Sequence, residues 1–283
     1  LAETIKEEKA SAGFQINHAG RFAQAAEPVA PSAVPAFGKT PHPLTTREIR
    51  TIQKQYARAA LRVKKAGFDL VELHGGTGYL LAQFVSPRTN KRTDAYGGLL
   101  ENRIRFPVEV LNEVKDLVGD FPVGYRFLAD EWLPDGLNLE ESKVLAKALE
   151  ENGVAYISVM GGTYESFFLP EIVKKSRRPG YMVSLAAAIK KDVKAPVITA
   201  GRISTPALAD SIIKEKKADL IGLARMLWVD PEWPAKARQG RDGAIIKCSP
   251  KCDACLQLVM QGKPAFCPRW KKEKRAEYKA LFR

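Results

Sequence analysis

No apolar run in this sequence approaches the roughly 20 residues that a membrane-spanning helix needs. Nor does an apolar segment follow a charged start: the chain opens LAETIKEEKASAG, a polar, helix-like stretch with no leader-peptide character. Export and membrane insertion are therefore not expected, and the cytoplasm is the expected location. An initiating methionine is also missing, so Leu1 is not expected to be the natural start. Cysteine is absent from every part of the chain but one: all four fall in KCSPKCDACLQLVMQGKPAFCPRW. That excludes a disulfide framework spread through the fold. No internal repeat shows beyond an alternation of apolar runs with helix-period segments. Acidic residues are scarce, 32 against 45 Lys and Arg, which gives a net charge of +13. Such an excess suits a polyanionic partner, a phosphate-rich cofactor, or a solvated surface with a basic tail. No interleaved aromatics and no recognition motif accompany it, so nucleic acid is not an expected partner. Part of the excess lies in RWKKEKRAEYKALFR (269–283), which reads as a charged terminal helix.

What is present describes a large α/β domain. The chain has 283 residues, 45% of them hydrophobic and 27% charged, an ordinary balance for a globular protein. FQINHA (14–19), FDLVELH (68–74), VGYRFLA (123–129), AYISVMG (155–161), PVITAG (196–201) and DLIGLAR (219–225) read as strands buried on both faces. Helices fall between them. Thr45 and Glu48 have capping-box spacing, Ile49, Ile52, Tyr56, Ala60 and Val63 form an apolar stripe, and Gly67 ends that helix. Further helices are expected over 103–118, 140–151, 184–191 and 206–214. The one long irregular segment, 22–43, is rich in Ala and Pro, and a loop of that length is usually functional or mobile.

Alternation of this kind gives parallel strands with right-handed crossovers. The fold class expected is a (β/α)8 barrel with six of its eight strands visible, the first two lying upstream. An open doubly wound sheet is the other possibility, but no Gly-rich turn follows the first strand to seat a dinucleotide. In a barrel, chemistry sits at the C-terminal ends of the strands. Those ends carry Gln15, His74 followed by Gly75-Gly76-Thr77-Gly78-Tyr79, Arg126, Gly201-Arg202 and Ala224-Arg225. A small residue followed by Arg at the last two ends suits a phosphate, and it also suits a tight turn with surface charges. Arg126 inside an apolar strand is costly to bury unpaired; a bridge to Glu72 or a fixed charge facing an electron-rich ligand would each account for it.

QINHAGR (15–21) and AGFDLVELHGGTGYLLAQFVSPRTNKRTDAYGGLLENRIRF (66–106), followed in order by PVGYRFLADE, PVITAGRI and DLIGLARMLWVDPEWP, resemble the Old Yellow Enzyme family of flavin oxidoreductases. The likeness is to its iron–sulfur branch, which contains dienoyl-CoA reductase and trimethylamine dehydrogenase, and it covers nearly the whole chain. The resemblance implies FMN as cofactor, with Gln15 on the flavin pyrimidine edge and Arg126 beside the N1–C2 carbonyl. It implies backbone groups at Gly201, Arg202, Ala224 and Arg225 on the FMN phosphate. It implies His74 on the substrate carbonyl and Tyr79 as proton donor. A hydride delivered to the β-carbon of an activated C=C leaves charge on the carbonyl oxygen, which His74 can stabilise. Tyr79 can then protonate the α-carbon as a general acid. The sequence departs from the family at Thr77, where Asn or His is usual; a short hydroxyl with one proton to donate makes a weaker or shifted substrate-binding clamp.

Cys248, Cys252, Cys255 and Cys267 are spaced C-x3-C-x2-C-x11-C, which signals a metal centre. Thiolates suit both zinc and iron–sulfur clusters, and the spacing alone does not choose between them. The resemblance implies a [4Fe–4S] cluster, although the gaps differ from the family's by a residue. The chain is expected to divide into a barrel over 1–240 and a cluster segment with a basic helix over 241–283.

The expected activity is an FMN- and [4Fe–4S]-dependent oxidation or reduction of an α,β-unsaturated carbonyl, such as an enoyl- or dienoyl-CoA. NAD(P)H would act through a partner. An acidic electron-transfer protein or partner subunit is expected to dock near the basic tail, with a salt-sensitive rate; self-association is left open. Two alternatives stand beside this reading: an amine or C–N dehydrogenase of the same fold, and a non-catalytic electron-transfer subunit of a larger complex.

Overall fold

The computed structural model describes residues 1–249 and 251–282. Six strands form one parallel sheet: β1 (Gly13–Ile16), β2 (Leu70–Gly75), β3 (Val123–Asp130), β4 (Ile157–Gly161), β5 (Val197–Thr199) and β6 (Leu220–Ile221). Each strand is hydrogen-bonded to its neighbour in sequence, with no reversal of order anywhere in the sheet. A doubly wound sheet needs such a reversal. The sheet instead winds in one direction and curls into six strands of a (β/α)8 barrel, as the sequence pattern predicts.

Helices α1 (Thr46–Lys65), α2 (Arg105–Val118), α3 (Leu139–Glu151), α4 (Val183–Asp192) and α5 (Pro206–Lys214) make the crossovers. The predicted capping box is present: Thr45 Oγ1 accepts from Glu48 N–H, and the Glu48 carboxylate accepts from Thr45 N–H at 2.7 Å. The stripe Ile49, Ile52, Tyr56, Ala60 and Val63 is buried, and it belongs to one core cluster with Val110, Leu111 and Val114 of α2. The second predicted helix, 103–118, is interrupted: a short turn of helix, Leu100–Arg103, precedes α2. Arg103 explains the break. It is buried, it bonds the Gly98 and Val85 carbonyls, and it pairs with Glu141. Strands β5 and β6 are shorter than their apolar runs. The backbone turns at Gly201 and Arg202, both with positive φ (103° and 54°), and Arg225 already begins a helix, Arg225–Val229.

The irregular segment 22–43 is tied down by a two-residue parallel pairing of Val29–Ala30 with His42–Pro43. The charged terminal helix runs over Lys272–Ala280; Arg283, at the end of the predicted range, lies outside the described residues. Its Tyr278 stacks on Trp228 and Trp270, and Trp270 Nε1 donates to the Trp228 carbonyl at 2.7 Å. This holds the tail against the helix that follows β6. The polar faces of the sheet therefore open at one end, where the loops after each strand meet.

Thr45→Ala should lower unfolding free energy by on the order of 1 kcal/mol, the usual effect of losing a helix N-cap, as urea denaturation would measure. The hydrogen bonds from Thr45 hold the Glu48 carboxyl down to about 2. A carboxyl depressed in the folded state stabilises above its unfolded value near 4.5 and loses that contribution as pH falls toward 2. The difference between wild type and variant should therefore shrink over that window.

Candidate functional site

The register of the central strands brings the site together. His74 pairs with Arg126, and Arg126 pairs with Ser158, so three polar side chains from β2, β3 and β4 lie abreast. Arg126 Nη1 donates to Ser158 Oγ at 2.8 Å. The anticipated bridge to Glu72 does not form. Gln15 Nε2 donates to Glu72 Oε1 at 2.5 Å instead. No carboxylate lies within 4.0 Å of Arg126 among the described residues. Burial lowers the affinity of Arg126 for its proton, with Glu72 opposing from a longer distance.

Arg126 forms part of the wall of a cavity of about 200 Å³ that Gly201, Arg202, Ala224 and Arg225 also line, together with Arg177, Tyr181 and Cys248. The four positions predicted to hold a phosphate are thus together, and Arg126 is with them. Burial and then the charge of Arg225 lower the proton affinity of Arg202. Its Nε donates to the Ser176 carbonyl at 2.5 Å. Tyr181 faces Arg225, Arg202 and Arg126. Cations crowded into one partly buried cavity favour an anionic occupant. The backbone is shaped for a close approach: Gly201 has a left-handed φ, and a Cβ on it would press on the Tyr181 ring at 3.0 Å. A Cβ at Gly76 would meet Met160 Sδ at 2.5 Å. A planar, phosphorylated cofactor such as FMN fits this chemistry: fixed cations, turns free of side chains, and a flanking aromatic.

His74 and Tyr79 meet beside this cavity, their rings edge to face with centroids 4.9 Å apart. The turn between them demands special backbone: Thr77 has φ 59° and Gly78 φ 83°. Gly76 N–H donates to His74 Nδ1 at 3.1 Å. In the neutral ring this leaves the proton on Nε2, so Nε2 is a donor. Burial, and then Arg126, bring His74 down to about 4. It is a neutral hydrogen-bond donor at neutral pH rather than a cation. Tyr79 is raised above its ordinary value, first by burial and then by its bond to Tyr164. It keeps its proton and can give it.

The Thr77 hydroxyl has a sulfur neighbour in Met160: Thr77 Oγ1 lies 3.5 Å from Met160 Sδ, as donor. Two residues escaped the sequence reading. Tyr164 places its hydroxyl 2.7 Å from that of Tyr79, and Tyr181 stands among the arginines. Position after a strand end, in GGTYE, was the available signal for Tyr164.

None of the four cysteines is in a disulfide. Cys248 is held up chiefly by burial, with Arg225 and Arg202 opposing and with Cys255 and Cys252 close enough to add to the rise. Cys267 is buried with Val229 and Trp270, and Cys248 packs against that cluster. The donor chemistry suits a thiolate-bound cluster. Among the described residues, however, no three His, Cys, Asp or Glu side chains are drawn in as a metal-ligand set.

Residues 1–243 match the model of the NADH:flavin oxidoreductase / NADH oxidase family. The NADH oxidase of Thermoanaerobacter brockii is 47% identical over 257 residues, 88% of this chain and 39% of that protein. Among solved structures, a 2-naphthoyl-CoA reductase in complex with 2-naphthoyl-CoA is 31% identical with a TM-score of 0.89, over 95% of this chain and 44% of that one. Histamine dehydrogenase from Rhizobium sp. 4-9 is 30% identical with a TM-score of 0.85, over 95% and 40%. The chain therefore spans about two fifths of the length of these relatives.

The depressed His74 has a consequence for stability. The unfolded imidazole takes up a proton below about pH 6.5, the folded one only near 4. His74 thus lowers stability as pH falls through 6.5, and the loss levels off below about 4. Urea unfolding at pH 7.5 and pH 5 should show a smaller drop for His74→Gln than for wild type; equal drops would refute the assignment.

Proposed function

This chain belongs to the NADH:flavin oxidoreductase / NADH oxidase family, the Old Yellow Enzyme family, and we propose that it is the FMN-binding part of a flavin-dependent oxidoreductase acting on an α,β-unsaturated carbonyl or enoyl-CoA-type substrate. The observation that supports this most is the edge-to-face contact of His74 with Tyr79 beside an arginine-lined cavity. FMN, when bound in that cavity, supplies the hydride. The residues that would hold it are Arg126, Gly201, Arg202, Ala224 and Arg225 of the cavity wall, with Gln15 at the ring edge. Arg126 offers a fixed positive charge with no carboxylate within 4.0 Å among the described residues, so it stabilises negative charge brought into the cavity.

His74 donates from Nε2 to the substrate carbonyl oxygen and stabilises the charge that develops there. Its neutrality matters: a neutral donor polarises the oxygen without surrendering a proton to it. Tyr79 delivers its proton to the α-carbon. Thr77 flanks the site through its backbone turn, its hydroxyl engaged with Met160. Cys248, Cys252, Cys255 and Cys267 would carry a [4Fe–4S] cluster, so that the chain divides near residue 240 into a flavin barrel and a cluster segment. NAD(P)H is the ultimate donor, and an electron-carrying partner or further domain connects it to this unit. A second reading, oxidation of a C–N bond, draws support from the likeness to histamine dehydrogenase.

Tyr79→Phe should slow substrate protonation by about 10²–10⁴-fold, the usual scale of general acid catalysis, with flavin reduction by dithionite unchanged. Rapid-mixing absorbance separates the two steps, and an unaltered protonation rate refutes the assignment. Anaerobically purified protein should carry about four irons per chain with matching acid-labile sulfide, and Cys252→Ala should lose them. Zinc in their place would refute the cluster.

A further inference from the structure

Tyr164 lies outside every motif considered so far, yet its hydroxyl lies 2.7 Å from that of Tyr79. The two residues are 85 positions apart and are brought together by a built arrangement. Thr77 and Thr163 form an isolated parallel bridge that joins the loop after β2 to the loop after β4. Ser166 Oγ accepts from Thr163 N–H at 2.9 Å, which closes the second loop on itself. Glu165, beside Tyr164, is held by Arg21 and Arg88, and Arg88 is held in turn by Asp135 at 2.6 Å. Arg21 is nearly inaccessible, at 2% exposure. Phe22 packs edge-on against both tyrosines, with centroids 5.2 Å from Tyr164 and 6.5 Å from Tyr79. An ordinary surface tyrosine does not need four elements to hold its hydroxyl on one atom.

We infer that Tyr164 is a positioning and proton-return residue for Tyr79: it aims the Tyr79 hydroxyl and restores its proton after each turnover. This rests on the reading of Tyr79 as proton donor. When the hydride reaches the β-carbon, the Tyr79 O–H bond breaks and a C–H bond forms at the α-carbon. Tyr79 is left as a phenolate between His74 and Phe22, where burial makes that charge costly. The Tyr164 O–H bond then breaks as the Tyr79 O–H bond re-forms. Tyr164, partly exposed at the protein surface, takes its replacement proton from water. No electrons move in these return steps.

The test compares flavin-loaded wild type with Tyr164→Phe, Tyr164→His and Tyr79→Phe in rapid mixing. Tyr164→Phe should slow substrate protonation by about tenfold or more. It should leave flavin reduction and substrate KM within about twofold. Tyr164→His, which keeps a hydrogen-bonding group there, should recover most of the rate. The contact itself is read without turnover: in flavin-free protein carrying ¹³Cζ-tyrosine, the Tyr79 resonance, assigned with Tyr79→Phe, should shift in Tyr164→Phe. A slow Tyr79→Phe beside Tyr164→Phe at wild-type rate, or an unmoved Tyr79 resonance, overturns the role of Tyr164 and leaves Tyr79 as donor. A Tyr79→Phe protein with normal protonation overturns the underlying reading.

Discussion

The guanidinium of Arg126 projects from a strand whose residues are almost all buried, and Ser158 holds it. Desolvating a cation is costly, and a carboxylate partner is the common remedy. Here the nearest carboxylate, Glu72, is occupied by Gln15 instead. The cost is tolerated because the strand register leaves Arg126 facing a cavity with Arg202 and Arg225. Much of the remaining site follows from that charge. His74 sits beside it in register, so it is driven neutral by burial and by Arg126 together. A neutral imidazole whose Nδ1 accepts a backbone N–H has a fixed tautomer, with its donor aimed away from its own turn. One buried arginine thereby sets both the electrostatic sign of the cavity and the protonation of the residue next to it.

The loops add what the strands cannot. Strand register fixes His74, Arg126 and Ser158 to within a pleat, but Tyr79 lies beyond the strand. Its place depends on two consecutive residues with positive φ, Thr77 and Gly78. A threonine in that conformation is strained. The strain is held by the bridge to Thr163 and by the contact with Met160. This explains why Thr77 serves the site through its backbone: its side chain is part of what keeps the turn.

The fold was legible because the signals that specify it are local. Thr45 and Glu48 announce a helix start whatever surrounds them, and six apolar runs separated by helix-length segments leave few topologies. The strand ends were harder. VITAG and LIGLAR continue to read as apolar after the chain has turned, since the turn is made by backbone at Gly201 and Arg202 rather than by a change of polarity. Within the site, His74, Tyr79 and the four positions that line the cavity with Arg126 lay in motifs and could be named. The partners of those residues could not. Sequence suggested Glu72 for Arg126, and register chose Ser158. Tyr164 gave only its place after a strand end, because its significance is a distance to a residue 85 positions away.

The unusual charge of the chain also acquires a location. Of the net +13, several charges converge on one cavity: Arg126, Arg177, Arg202 and Arg225. Like charges held together in partial burial oppose folding, and Arg202 has its proton affinity lowered first by burial and then by Arg225. Cys248 shares that wall, and the same arginines favour its ionised form while burial and its neighbouring thiols disfavour it. Two occupants of opposite charge would relieve the two tensions, a phosphate by offsetting the arginines and a cationic metal centre by offsetting the thiolates. Whatever binds the folded state alone stabilises it by mass action. The cavity and the cysteine segment beside it are therefore coupled through charge, and the protein should be most stable when both are filled.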